Sequence, residues 1–168
     1  TDEMLKSGME VISTEIVEKT KGTGHLNSAK MPMKCHENVL IFYKRLPTYN
    51  PQMTTGHKPV HSYTQHTDCG SNYGKTRPGI SGGGSTERYP RDVLRFKWDT
   101  QRSKLNPTQK PVDACEYFIR TYTNLGETVL DSCMGSNSTG IACQKLNRKY
   151  IGIEKDRKQY QIACSREN

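Results

Sequence analysis

The sequence predicts an α/β fold: part of a parallel sheet interrupted by a long loop-rich insertion. Three observations carry that reading. The final third alternates strand, glycine turn, helix and strand; a β-branched and aromatic run stands near residue 40; and residues 47–106 have almost no apolar periodicity. At 168 residues the chain suits one core plus an insertion. Only 32% of it is hydrophobic and the mean hydropathy is −0.84, so two cores would be starved of apolar side chains.

In chain order, residues 1–34 are weakly patterned, with a short strand expected at 15–18 and a turn at Lys21-Gly22-Thr23-Gly24. The run Val39-Leu40-Ile41-Phe42-Tyr43 reads as a buried strand of the main sheet. Residues 47–106 are dense in Gly, Ser, Thr, Tyr and His and include Gly82-Gly83-Gly84, so they are expected either to be disordered or to fold against a partner. Beyond them, Pro111 suits the first turn of a helix whose Val112, Cys115, Phe118, Ile119 and Tyr122 share one face until Gly126 stops it. A strand at 128–130, a helix at 138–146 closed by Asn147, a strand at 150–153 and a helix at 156–165 complete the chain.

The net charge is +8, which suits a polyanionic partner, since each cation placed near a phosphate releases counterions; solubility alone would also account for it. Between Lys75 and Lys104 eight Lys or Arg residues face three acids, interleaved with Tyr73, Tyr89, Phe96 and Trp98. Cations beside stacking aromatics fit a nucleic-acid-binding insertion, and equally a solvated loop anchored by a few rings. Arg77, Arg88, Arg91, Arg95 and Lys97 are the candidate DNA contacts. No apolar run resembles a signal peptide or a membrane span, and Cys115 and Cys143 fall in helical patterns. The six cysteines therefore read as free thiols in a reducing cytoplasm. The chain opens at Thr1 rather than Met, which leads us to expect processing or a start partway through a longer protein.

The chemistry concentrates in residues 129–140, where a strand runs into a tight turn and then a helix. Gly135 and Asn137 both tolerate the left-handed backbone that such a turn requires. Glu154 follows Gly135 by about twenty residues, at the end of the next strand, where a carboxylate can accept both hydroxyls of a ribose. A nucleoside-bearing cofactor fits this arrangement.

These motifs, preceded by Asn106-Pro107-Thr108-Gln109-Lys110-Pro111, resemble the β-class DNA amino-methyltransferases of the phage type, which methylate adenine N6 or cytosine N4. In that family an H-P-T-Q-K-P stretch and a D-P-F-x-G-S-G-T-T-like loop enclose S-adenosylmethionine. The resemblance implies a partial Rossmann-like methyltransferase sheet, with Lys110, Asp131, Cys133, Gly135, Ser136, Asn137, Thr139 and Glu154 around the cofactor. Asn106 stands in place of His, Ser132-Cys133 in place of Pro-Phe, and Asn137 in place of the second glycine. Asn137 can hold the turn at a cost of about 1 kcal/mol, and its side chain is expected to sit where the cofactor meets the backbone and so to weaken affinity.

Upstream, residues 19–27 and 35–44 look like later sheet strands of the family. The implied division is 1–46 later strands, 47–105 target-recognition-like insertion and 106–168 cofactor part. Double-stranded DNA is the implied partner, in DNA methylation and restriction–modification.

The family's catalytic loop is a D-P-P-Y-like motif that accepts hydrogen bonds from the target amine and stacks on the flipped base. No Pro-Pro dipeptide occurs in the sequence, so no catalytic residue is nominated. The loop's strand is central in the family sheet, so we expect a carboxy-terminal fragment or gene remnant, inactive alone, with exposed strand edges. Two other readings stand beside this one. The chain could be a non-catalytic DNA- and cofactor-binding partner, completed by an amino-terminal chain or acting as a homodimer. It could also be a zinc-binding DNA-binding module built on Cys35, His36, His57, His61, His66 and Cys69, although their spacings match no common ligand pattern.

Overall fold

The computed structural model describes residues 2–64, 79, 81–97, 105 and 109–166. The chain divides into two compact units, Thr1–Asn50 with Arg91–Asn168 and Pro51–Pro90. No described helix is long and apolar enough to cross a membrane.

In the first unit a short helix, α1 (Asp2–Lys6), leads into strands β1 (Glu10–Thr23) and β2 (Lys34–Tyr43), which pair antiparallel from Glu10↔Tyr43 to Thr23↔Lys34. The turn expected at 21–24 is thus mostly strand, because pairing with β2 extends β1 to Thr23, and only Gly24 takes a left-handed conformation. The run at 39–43 also differs from expectation. β2 is the outer strand of its sheet and Leu40 is 39% exposed, so the run is half-buried rather than buried. On its other side β1 pairs in parallel with a strand at Val93–Arg95, which lies within the stretch 47–105 read as an insertion. On β1 the alternation puts Val17 and Glu15 inside, and the Glu15 carboxylate accepts a 2.8 Å hydrogen bond from the Tyr122 hydroxyl.

The second unit contains β3 (Tyr63–Thr64) and β4 (Ser81–Gly82), an antiparallel pair, and the strand at Val93–Arg95 is accordingly β5. Although no apolar period runs through them, residues 54–64 and 81–88 bond to each other through the backbone. Thr54 and Arg88 form a bridge, the His57 amide donates to Thr86, and the amides of Val60 and Gly84 donate to Ser85 and Val60. Such a ladder needs no side-chain periodicity, which is why the pattern hid it. It does need a small residue at one point: a Cβ on Gly83 would lie 2.6 Å from the Ser62 Cα. The Arg88 guanidinium closes the unit by donating to the carbonyls of Ser85, Glu87 and Lys58.

The rest of the first unit is α2 (Val112–Tyr122), β6 (Thr128–Asp131), α3 (Ser138–Lys145), β7 (Lys149–Gly152) and α4 (Arg157–Ser165). β6 and β7 are parallel, in register from Thr128↔Lys149 to Asp131↔Gly152. Ile119, Ala142 and Cys143 form a core against one face of this pair, flanked by Val112, Cys115, Val129, Leu146 and Tyr150. Full burial of a side chain such as Ile119 contributes about 2 kcal/mol. Gly126 does not stop α2. The helix ends at Tyr122, where Thr123 turns extended and the Arg148 guanidinium binds the Thr123 carbonyl and hydroxyl. α4 begins as its sequence suggests, with the Asp156 carboxylate accepting from the Gln159 amide, a cap worth about 1 kcal/mol. On the other face of the parallel pair Leu130, Ile151 and Ile153 are each more than half exposed.

Candidate cofactor site

The turn from β6 to α3 is held from both ends. One Asp131 oxygen accepts the Cys133 amide at 3.0 Å and the other the Thr139 hydroxyl at 2.7 Å, so a single carboxylate spans the loop. Glu154 braces it from the next strand, taking the Gly135 amide on one oxygen and the Asp156 amide on the other. The Arg166 guanidinium donates to the Ser136 carbonyl. Gly135 and Asn137 are both left-handed, at φ 52° and 64°.

Asn137 meets the backbone expectation but corrects the side-chain one. Its side chain is fully buried and packs against Gly140, where any Cβ would collide with it and would also lie 2.7 Å from the Tyr150 ring. It is directed into the protein and does not line the cleft, so it takes no space from a ligand there.

The cleft has a volume of about 170 Å³ and is lined by Gln109, Lys110 and Asp131, by Cys133–Met134–Gly135–Ser136 of the turn, and by Ser138 and Thr139. Of the candidates, Lys110, Asp131, Cys133, Gly135, Ser136 and Thr139 meet here, whereas Asn137 and Glu154 support the turn from behind. Gln109 lies in the stretch that the resemblance places around the cofactor, whereas sequence reasoning missed Ser138, Met134 and Arg166. Ser138 is 5% exposed, and its hydroxyl has no hydrogen-bond partner among the described residues. A buried hydroxyl beside a cleft is a ready donor to a ligand, because leaving it unmatched costs about 1–3 kcal/mol. The Cys115 thiol, behind the loop, is pushed up to about 11 chiefly by burial, with the Asp131 charge adding to the effect.

The cationic candidates differ in their partners. Arg88 holds three carbonyls of its own unit, and Arg95 pairs with Glu18. Arg91 and Lys97 are exposed. Arg77 lies outside the described residues, as do Asn106, Pro107, Thr108, His66 and Cys69. Among the described residues no group of three or more His, Cys, Asp or Glu is placed to hold a metal ion, and Cys35, Cys115, Cys133, Cys143 and Cys164 are free thiols.

A parallel strand pair joined by a left-handed turn and a helix, with an acid closing the second strand, is the geometry of a Rossmann-like α/β protein. The family profile described as DNA methylase matches residues 1–165, and the chain belongs to that family of DNA amino-methyltransferases. It is 38% identical over 61 residues to the type II methyltransferase M2.DpnII of Streptococcus pneumoniae, covering 36% of this chain and 23% of that protein. The figures for M2.LlaDCHI of Lactococcus lactis subsp. cremoris are 38% over 63 residues, 38% and 23%. The matched stretch thus spans about a quarter of these curated relatives.

Among solved structures, the M1.HpyAVI–SAM complex superposes with a TM-score of 0.66 at 24% identity, covering 99% of this chain and 67% of that one. The cytosine-N4-specific PvuII DNA methyltransferase gives 0.68 at 16% identity, covering 98% and 54%. At these identities the likeness concerns the fold, and it bears out the α/β methyltransferase architecture expected from the sequence.

Proposed function

We propose that this chain forms the S-adenosylmethionine-binding and target-recognition part of a DNA amino-methyltransferase. The complete enzyme acts on an exocyclic amine of double-stranded DNA, adenine N6 by the resemblance of its motifs, and the residues of this chain lack the D-P-P-Y-like loop. The observation that carries this reading is the cleft beside the 131–139 turn, with the Ser138 hydroxyl buried at its wall.

The residues fit the cofactor's chemistry. Lys110 offers a cation to a carboxylate, Asp131 and Thr139 fix the turn against which a nucleoside would lie, and Glu154 supports its backbone. The volume of about 170 Å³ falls short of the ~300–1,000 Å³ of complete small-molecule pockets, as suits part of a site. Bound S-adenosylmethionine supplies the methyl group; these residues hold and orient it. That a relative was crystallised with SAM supports the same reading.

The apolar face of Leu130, Ile151 and Ile153 favours completion by further polypeptide, because parallel strands are stable when both faces are covered. That polypeptide would carry the missing loop, and a reducing cytoplasm suits the free thiols.

Calorimetric titration with S-adenosylmethionine tests the cleft. Binding is expected, and Ser138→Ala should weaken it about five- to tenfold without lowering the melting temperature. No binding by the wild-type chain would refute the reading. With labelled cofactor and duplex DNA the chain alone should transfer nothing above background, and transfer should appear on adding a polypeptide that carries a D-P-P-Y-like strand. DNA binding, through Arg91 and Lys97 above all, should weaken steeply with salt.

A further inference from the structure

Lys110 does not stand alone at the rim of the cleft. Its ammonium lies 3.1 Å from one oxygen of Glu37 on β2, while the other oxygen of Glu37 lies 2.9 Å from the Lys19 ammonium on β1. The three side chains grade from inside to outside, being 13% exposed at Lys19, 29% at Glu37 and 52% at Lys110. Glu37 is therefore fixed on the sheet by its inner partner, and Lys110 is the partner free to move. Burial works against the Glu37 charge, but the hydrogen bonds from Lys19 and Lys110 outweigh it and hold the carboxyl below its ordinary range.

Among the described residues lining the cleft, Lys110 is the only cation and Asp131 the only carboxylate. A ligand with a carboxylate and a cationic centre is thereby oriented, its carboxylate toward Lys110. We propose that Glu37 is the internal counter-ion of the cleft: it holds Lys110 at the rim and competes for it with the ligand's carboxylate, so setting how strongly the cleft favours carboxylate-bearing nucleosides. This rests on the S-adenosylmethionine reading of the cleft. Replacing Glu37 by a neutral isostere leaves Lys110 with no rival anion, and the gain is that of one partly exposed ion pair, about two- to fivefold in affinity.

The test is calorimetry on the full chain with two probes, S-adenosylmethionine and its decarboxylated form, which differ only in the group Lys110 would read. Glu37→Gln should tighten S-adenosylmethionine about two- to fivefold and leave the decarboxylated probe unchanged or weaker. Lys110→Gln should weaken S-adenosylmethionine alone and abolish the effect of Glu37→Gln in the double variant. Should Glu37→Gln unfold, Lys19→Gln provides the second arm. By leaving Glu37 to Lys110 alone, it should weaken S-adenosylmethionine relative to the decarboxylated probe. Weaker S-adenosylmethionine binding in a folded Glu37→Gln, or equal changes for both probes in either variant, would overturn the inference while leaving the cofactor site intact. Failure of the wild-type chain to bind either probe would overturn both.

Discussion

The cofactor region and the 51–90 unit are built by opposite means. In residues 109–166 the backbone is organised around side chains with no exposure at all, Asn137, Ala142, Cys143 and Ala163. Among the described residues of 51–90 none is buried, and the unit is held mainly by backbone hydrogen bonds and the Arg88 guanidinium, with a few exposed side-chain bonds such as Thr64 to Ser81. A region stabilised by its core constrains most of its side chains, whereas one stabilised by its backbone leaves them free to vary. On the proposed function, the second arrangement would suit a surface that changes its target while the first keeps its cofactor.

The largest expected effect breaks the packed region at its tightest point. Gly140→Ala should destabilise the chain by about 1–3 kcal/mol, because the added methyl meets the Asn137 side chain and the Tyr150 ring. Asn137→Gly in the same chain should recover part of that loss, and urea unfolding of the two single variants and the double gives the coupling. A change in Gly140→Ala that Asn137→Gly does not reduce would mean that the collision with Tyr150 dominates.

A smaller effect separates the two regions. Arg88→Ala removes the bonds to Ser85, Glu87 and Lys58 and should cost about 1–2 kcal/mol locally. Hydrogen exchange should then quicken about tenfold or more at the amides of His57 and Val60 and stay unchanged in α3. Equal acceleration in both regions would erase the distinction between them.

The smallest effect is chemical. At pH 8 a thiol reagent should modify exposed Cys133 long before Cys115, whose proton is held up to about 11. Between the ordinary value of 9.0 and about 11 the unfolded chain loses this proton while the folded chain keeps it, so stability should fall as pH rises through that window. A denaturation midpoint flat from pH 8.5 to 10.5 would contradict it.

What was legible in the sequence follows the same division. Helices α2, α3 and α4 and strands β6 and β7 fall within a few residues of their expected bounds, because burial on one face imprints a period on the chain. The ends were less legible: α2 stops at Thr123 through Arg148, a contact 25 residues away that no local signal encodes. The pairings at Thr54–Arg88 and at β5 left no apolar imprint for the same reason. In the site, the loop and its flanking acids were readable by spacing, whereas Ser138 was overlooked because a serine opening a helix reads as an ordinary terminus. The bridge from Lys19 through Glu37 to Lys110 joins three distant segments, and only the fold brings them together.

The fit of Asn137 against Gly140 also sets an order in which this loop can change over generations. Residue 137 can become glycine in one step, because the left-handed backbone accepts it and nothing is crowded. Residue 140 gains a side chain at lower cost after that step, and still only as Tyr150 gives way. While the asparagine remains, any side chain three positions on meets it, so descendants of this sequence should more often lose the asparagine before they lose the glycine.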